Sequence, residues 1–357
     1  MIPLLEALSP GEKDSLTPAE IPEKPSPMLA VLVDEPFSDP DWIFERKLDG
    51  ERALCYHKEG EVGLRSRNGK NLALSYPELV DALGGIKLDS GTKSGSDGVA
   101  TDRSSLSWMA DGEIVAFRDD VTSFSRLQER MQVSDPEEAR NSPVSVYYYL
   151  FDLLLLDGRD LASLPLRTRK SLLRDTFEFS DPIRLTPHRN EEGEAFHREA
   201  CSKGWEGIIA KKADSPYVHT RSRNWLKFKC VARQELVIGG FTDPGGTRTG
   251  LGALLVGYHE DGQLRYAGKV GTGFDEDTLK RLSRLLKKAQ RKTPPFSREQ
   301  ENDLPTDGVH WVTPKYVGDF GFSEWTSSGK LRHPRFLGLR RDKDPEEVER
   351  ERPEPHE

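Results

Sequence analysis

From Met28 onward, runs in which apolar and polar positions alternate are interleaved with runs of helical period, and the texture changes again after Arg233. Trp42-Ile-Phe-Glu-Arg-Lys47 and Arg52-Ala-Leu-Cys-Tyr-His57 read as two strands around an Asp49-Gly50 turn signal. Met109–Phe117 and Val144–Leu156 are longer, apolar and rich in β-branched or aromatic residues, the pattern of buried strands. Apolar spacing predicts short helices over Tyr76–Leu83, Leu166–Asp175 and Glu192–Lys203. Beyond Arg233, glycine-punctuated strands are expected at Glu235–Phe241, Gly252–His259, Leu264–Val270 and Trp311–Phe320. One helical stripe interrupts them, Leu279, Leu282, Leu285, Leu286 and Ala289, with Asp275 as its N-cap. Short strands with a single helix suggest a small β-barrel of the oligonucleotide-binding type. The expected organisation is α+β: a flexible proline-rich lead-in over 1–27, a first domain over 28–232, a barrel over 233–345 and an acidic tail over 346–357. The polar run 91–107 reads as a mobile inserted loop.

Length supports two domains, since 357 residues exceed the roughly 250–300 at which single cores stop growing. No apolar run approaches the roughly 18 residues of a membrane helix. The N-terminus lacks the charged and apolar regions of a secretory signal, so a cytoplasmic location is expected. Cys55, Cys201 and Cys230 are far apart and odd in number. That argues against a disulfide framework and against a CxxC zinc site, and points to oxygen ligands for any metal. A net charge of −8 counts against a nucleic-acid partner, but the average conceals a local reversal. Lys203–Arg233 carries eight basic residues (Lys203, Lys211, Lys212, Arg221, Arg223, Lys227, Lys229, Arg233) against Glu206 and Asp214, interleaved with Trp205, Tyr217 and Trp225. Such a run fits a solvated face or a phosphate-binding surface.

The candidate chemistry starts at Lys47. A lysine becomes a nucleophile when neighbouring cations or desolvation populate its free amine. Lys47 ends a strand and precedes an Asp-Gly turn through which backbone can approach a ligand; the same Lys-x-Asp-Gly pattern also fits an ordinary hairpin with surface charge. Strand alternation turns Arg46 to the opposite face, and Arg46 and Glu51 read as solvated charges. Lys227 and Lys229 alternate along a strand and share one face, suited to phosphates, or to plain solvent. Glu113 and Glu206 are hard oxygen donors of the kind magnesium takes, although Glu113 also fits a strand-edge charge and Phe151 a core aromatic.

Taken together and in order, these stretches resemble the nucleotidyl-transferase motifs of ATP-dependent DNA ligases and mRNA capping enzymes: Glu45-Arg-Lys-Leu-Asp-Gly-Glu-Arg52, Leu64-Arg-Ser-Arg-Asn-Gly69, Asp111-Gly-Glu-Ile-Val115, Tyr149-Leu-Phe-Asp-Leu-Leu154, Glu206-Gly-Ile-Ile-Ala-Lys211, Trp225-Leu-Lys-Phe-Lys229 and Arg340-Arg-Asp-Lys343. The resemblance implies an adenylation (nucleotidyltransferase, ATP-grasp-like) domain followed by an OB-fold barrel. It makes Lys47 the residue adenylated by ATP, with Glu45, Arg52, Arg67, Glu113, Phe151, Arg221, Lys227 and Lys229 around the nucleotide. It further implies Glu113 and Glu206 on Mg²⁺ or Mn²⁺, with Arg340 and Lys343 on the departing pyrophosphate. Gly271-Thr-Gly-Phe274, Glu324-Trp-Thr326 and Leu331-Arg-His-Pro-Arg-Phe336 narrow the likeness to the ligase part of bacterial ligase D, the end-joining type. The implied function is ATP-dependent sealing of nicked or broken duplex DNA by a monomer in the cytoplasm, at the nucleoid. Ku or separately encoded polymerase and nuclease proteins are the implied partners. An RNA ligase or capping-type guanylyltransferase shares the lysine chemistry and stands as the alternative.

Overall fold

The computed structural model describes residues 2–87, 106–131, 133–245 and 250–354. It divides into two compact units, Met1–Cys230 with Pro353–Glu357, and Val231–Arg352.

In the first unit the long apolar runs pair in the order expected of buried strands. Glu51–Lys58, Trp108–Arg118 and Val146–Leu156 lie side by side, antiparallel, in an eight-stranded sheet that also holds Glu61–Ser66. The helices Pro77–Gly84 and Leu166–Thr176 supply Leu79, Leu83, Leu172 and Leu173 to the core on this sheet. A second, five-stranded sheet is ordered His188–Asn190, Trp42–Lys47, Gly207–Lys212, Arg221–Lys229, Leu29–Leu32, and the helix Gly193–Ser202 covers one of its faces with Phe196 and Ala200. The Asp49-Gly50 turn joins the two sheets. It is therefore not a simple hairpin, because the strands either side of it belong to different sheets.

The second unit is a six-stranded antiparallel sheet of the OB-fold type, built on Arg233–Thr242, Leu254–Glu260, Gln263–Val270, Val309–Gly321 and Arg335–Arg340 with Gln290–Arg291. Register shifts at Ile238/Gly240, Val256/Gly257 and Asp319/Phe320 bend its strands. The helix Glu276–Lys287 caps the core through Leu279, Leu282 and Leu286, and Asp275 accepts from Thr278 N at 2.7 Å, the expected N-cap.

Two expectations are corrected at the termini. The lead-in is not flexible: Pro3–Glu6 and Pro10–Ser15 are helical, and Thr17–Pro18 pairs with Arg159–Asp160. Leu5 is fully buried in the main core. The cause was visible in Ser9-Pro-Gly-Glu12, which forms a capping box: the Ser9 hydroxyl accepts from Glu12 N, and Ser9 N donates to the Glu12 carboxylate. Nor is 346–354 a loose acidic tail. Val348 is buried, its carbonyl accepts from His259 N at 2.7 Å, and Glu354 pairs with Arg223 at 2.5 Å and donates its N–H to Leu32 O. Residues 91–105 of the expected insertion lie outside the described residues.

Leu5→Ala distinguishes a packed lead-in from a loose one. It removes a buried side chain from the core and should lower the stability of the first unit by about 2–4 kcal/mol, read as a shifted urea midpoint, whereas a loose segment would leave the midpoint unchanged.

Candidate active site

Three adjacent strands of the five-stranded sheet set the geometry. Lys47 pairs with Gly207 and Gly207 with Lys229; Glu45 pairs with Ile209 and Ile209 with Lys227; Ile43 pairs with Lys211 and Lys211 with Trp225. Directly paired residues share a face, so Glu45, Lys47, Lys211, Trp225, Lys227 and Lys229 occupy one side. The alternate residues Phe44, Ile208, Ala210, Leu226 and Phe228 take the other and form an apolar core with Phe196 and Ala200. Arg46 is on that far side too, but it is not a solvated charge: its guanidinium lies 4.3 Å from the Trp205 ring centroid.

Glycines fix the ends of this array. At Gly207 φ is +150°, and a Cβ there would stand 1.9 Å from the Phe228 carbonyl oxygen. Only glycine permits the close pairing that starts this strand directly after Glu206. Glu206 Oε1 is 2.6 Å from Lys47 Nζ. At Gly50 a Cβ would meet Ile114 O at 2.1 Å and Glu113 Cγ at 3.0 Å, so the Glu113 side chain lies against the turn that follows Lys47. Asp49 orders that turn: its N–H donates to Thr122 Oγ1 at 3.2 Å, and its carboxylate accepts from Phe124 N, the first residue of the helix Phe124–Met131. Glu51, expected in solvent, is buried and accepts from the Tyr76 hydroxyl at 2.7 Å.

Arg52 is clamped by Asp111. Its Nε and Nη2 donate to the two carboxylate oxygens at 2.5 Å each, and Nη2 also reaches Met28 O at 3.2 Å. The Tyr217 hydroxyl donates to the same carboxylate at 2.6 Å. Burial would disfavour the Arg52 charge, but the Asp111 contact outweighs it and holds the guanidinium protonated well above its ordinary range. Phe151 is 7% exposed, with Lys211 Nζ 4.1 Å and Arg52 Cζ 4.6 Å from its ring centroid.

Beside it, Glu45 accepts from Lys170 Nζ at 2.5 Å and from Lys211 Nζ at 2.6 Å. Burial pushes the Glu45 carboxyl up, and the two ammonium groups more than reverse this, leaving it below the usual carboxylate range. Burial, joined by repulsion from Lys170, lowers Lys211 to about 8 despite the attraction of Glu45. Lys170, Asp111 and Tyr217 escape a reading of single motifs. Lys170 did leave a signal: Leu166, Arg169, Lys170 and Leu173 follow the i, i+3, i+4, i+7 stripe of an inward helix face, and all four are buried. A charge on an apolar stripe needs a buried partner, here Glu45 for Lys170 and Asp152 for Arg169, at 2.8 Å.

The structure gathers Glu45, Lys47, Arg52, Glu113, Phe151, Glu206, Lys227 and Lys229 along this face and the adjoining turn. Arg221 is exposed at the start of its strand and donates to Ala30 O at 2.6 Å; a bulge between Ser222 and Leu226 shortens the strand, so Arg221 pairs with Leu29 and Lys227 with Leu32. Arg67 follows the edge strand Glu61–Ser66. Arg340 and Lys343 belong to the second unit, where Arg340 Nη2 is 2.6 Å from Asp342 and Lys343 3.3 Å from Glu235. The basic run 203–233 is not one surface either. Strand alternation buries Lys211 against Glu45, while Lys203 and Arg223 pair with Glu199 and Glu354.

Residues 27–229 match the family model described as ATP dependent DNA ligase domain, and residues 247–343 the one described as ATP dependent DNA ligase C terminal region. The chain belongs to the ATP-dependent DNA ligase family. Among its ligase relatives, the "Multifunctional non-homologous end joining protein LigD" of Pseudomonas aeruginosa is 36% identical over 354 residues, covering 96% of this chain and 38% of that protein. The "DNA ligase" of Thermococcus fumicolans is 31% identical over 327 residues, covering 86% of this chain and 53% of that one. The chain thus spans between about two fifths and a little over half of these relatives. A solved structure described as "mycobacterial DNA ligase D complexed with ATP and MES" is 32% identical and covers 93% of this chain and 100% of that one, with a TM-score of 0.63.

Glu45→Gln would leave Lys170 and Lys211 buried without their shared counter-charge. Breaking such a contact costs about 3–5 kcal/mol. Lys211 titrates below its ordinary value when folded, so the folded state binds fewer protons than the unfolded one. With the Glu45 attraction gone Lys211 falls further, so the variant's loss relative to wild type should shrink as pH rises toward about 8, above which Lys211 is neutral in both, in urea titrations of both proteins between about pH 5 and 9. A loss that does not vary with pH would show that Lys211 keeps its charge.

Proposed function

We propose that Lys47 is the residue that takes AMP from ATP and that the chain then passes AMP to a 5′-phosphate and seals breaks in duplex DNA, with end joining as its setting. The observation that carries the reading is Lys47 Nζ, 2.6 Å from Glu206 Oε1, at the end of a face on which Lys227 and Lys229 also stand. The amine attacks only after losing its proton, and Glu206 is the oxygen placed to receive it. Its lone pair then forms a bond to the α-phosphorus as the bond to pyrophosphate breaks. Lys229 lies two strands from Lys47, roughly 10 Å between Cα atoms, a span that a phosphate chain between the Lys47 amine and the Lys229 ammonium fills. Arg340 and Lys343, carried by the second unit, are assigned to the pyrophosphate.

Lys211 and Arg52 shape the base side of the site. A purine that reaches Phe151 has to displace or share the Lys211 ammonium, so Lys211 changes partners when nucleotide binds. Glu113 and Glu206 supply hard carboxylate oxygens, a donor set that fits Mg²⁺ or Mn²⁺. Bound there, the ion would neutralise charge developing on the phosphoryl oxygens. DNA is the proposed polymer partner, and Ku with separately encoded repair proteins the proposed company. Among the described residues no helix is long and apolar enough to cross a membrane.

Intact-mass measurement with ATP and Mg²⁺ tests the central assignment. Wild type should gain one adenylyl group and Lys47→Ala none; an adduct that survives in Lys47→Ala would move the nucleophile elsewhere. GTP in place of ATP, and nicked RNA in place of nicked DNA, separate the ligase from a guanylyltransferase or RNA ligase. Arg340→Ala should slow adduct formation about a hundredfold, the typical cost of one charge-stabilising donor, while leaving sealing by pre-adenylated protein less affected. Equal loss in both steps would remove Arg340 from the pyrophosphate.

A further inference from the structure

Cys201 and Cys230 were expected to stay apart; instead they are joined as a disulfide, with Cα atoms 5.2 Å apart. Sequence separation hid the contact, because 29 residues of strand, turn and strand return the chain to the helix Gly193–Ser202. That helix also carries His197 one turn before Cys201, and the imidazole Nε2 lies 3.6 Å from Cys201 Sγ. We propose that, in the reduced protein, His197, Cys201 and Cys230 form a binding site for a borderline-soft divalent cation, zinc by its donor set.

The three donor atoms lie within 4.8 Å of one another and all three residues are half-buried. Tetrahedral zinc with sulfur at about 2.3 Å and nitrogen at about 2.0 Å requires donors roughly 3.5–3.8 Å apart. The His197–Cys201 separation already meets that, and cleavage of the S–S bond allows the two sulfurs to part to it. His197 and Cys201, four residues apart on one helix face, give the i, i+4 spacing that chelates from a single turn. The imidazole also hydrogen-bonds to the Lys229 backbone. A second contact of that kind orients a metal-binding histidine. Partial exposure leaves a fourth position for water. Cys55 cannot compete, since burial in the core pushes its thiol up to about 12.

The chemistry balances with a dithiol as reductant. Two electrons and two protons from the dithiol convert the disulfide to two thiols, and the dithiol closes to its own disulfide. Zinc then displaces both thiol protons without changing its charge state. Hydrogen peroxide reverses the process: it takes two electrons from the thiolates and two protons from solvent, leaves as two waters, and releases the cation as the S–S bond reforms. Either crosslink ties the helix to the end of the strand that carries Lys227 and Lys229. Cys230 ends the main segment of the first unit and donates its N–H to Glu206 O at 3.0 Å. The metal-free dithiol lacks that tie.

Cobalt serves as the probe, on the full chain reduced anaerobically and freed of metal. One equivalent of Co²⁺ should produce thiolate-to-cobalt charge-transfer absorption in the near ultraviolet with tetrahedral visible bands, and one equivalent of Zn²⁺ should abolish both. Cobalt held by Glu113 and Glu206 cannot give the thiolate band. Cys201→Ser and Cys230→Ser should each reduce the charge-transfer intensity by at least half, and His197→Ala should weaken zinc at least about tenfold. Thiol alkylation supplies a reading that needs no variant: zinc should protect Cys201 and Cys230 in reduced wild type. Absence of the charge-transfer band, or alkylation unchanged by zinc, would overturn the proposal.

Discussion

The pairing register of Trp42–Lys47, Gly207–Lys212 and Arg221–Lys229 is the constraint on which the site depends. Side chains alternate faces along a strand, so a slip by one residue would carry Lys47, Lys227 and Lys229 into the apolar core and expel Phe44, Ile208 and Phe228 from it. The apolar face, packed under the helix Gly193–Ser202, thereby fixes where the charged face points. Gly207 contributes from the other direction: no other residue permits the approach of the Phe228 carbonyl, and Glu206 enters the site because the pairing begins immediately after it.

A face with this many cations is stable only if each buried charge is answered. Glu45 serves two ammonium groups, Asp111 serves Arg52 and the Tyr217 hydroxyl, and Asp152 serves Arg169. These contacts hold the rings of Phe151 and Trp225 next to charge in a region of low dielectric, where electrostatic attraction to phosphate is also stronger. Lys211 is the member closest to losing its proton, because burial and Lys170 both act against it. Its ammonium also lies over Phe151, 4.1 Å from the ring centroid. The proposed nucleotide contact and the charge balance of the fold therefore meet at the same side chain.

Local pattern exposed most of the elements. The long strands Trp108–Arg118 and Val146–Leu156 and the helices Leu166–Thr176, Gly193–Ser202 and Glu276–Lys287 follow from apolar period, with the Asp275 cap starting the last, since those signals act within a few residues. The termini were harder. Proline-rich 1–27 and the acidic end look disordered by composition, yet Leu5 and Val348 each find a hydrophobic partner supplied by distant chain, which composition cannot record.

The sequence by itself determined the order of the charged motifs, the strand and helix periods, and through them the candidate nucleophile Lys47 and its companions Glu113, Glu206, Lys227 and Lys229. Those properties are local, carried by spacing and by residue type. Tertiary structure alone decided which of them share a face, that Glu51 and Arg46 are not solvated, and that Lys170, Asp111 and Tyr217 complete the site. It also brought Cys201 to Cys230. Each of these depends on strand pairing between segments far apart in the chain, and only the combined burial of both sheets and their helices selects that pairing.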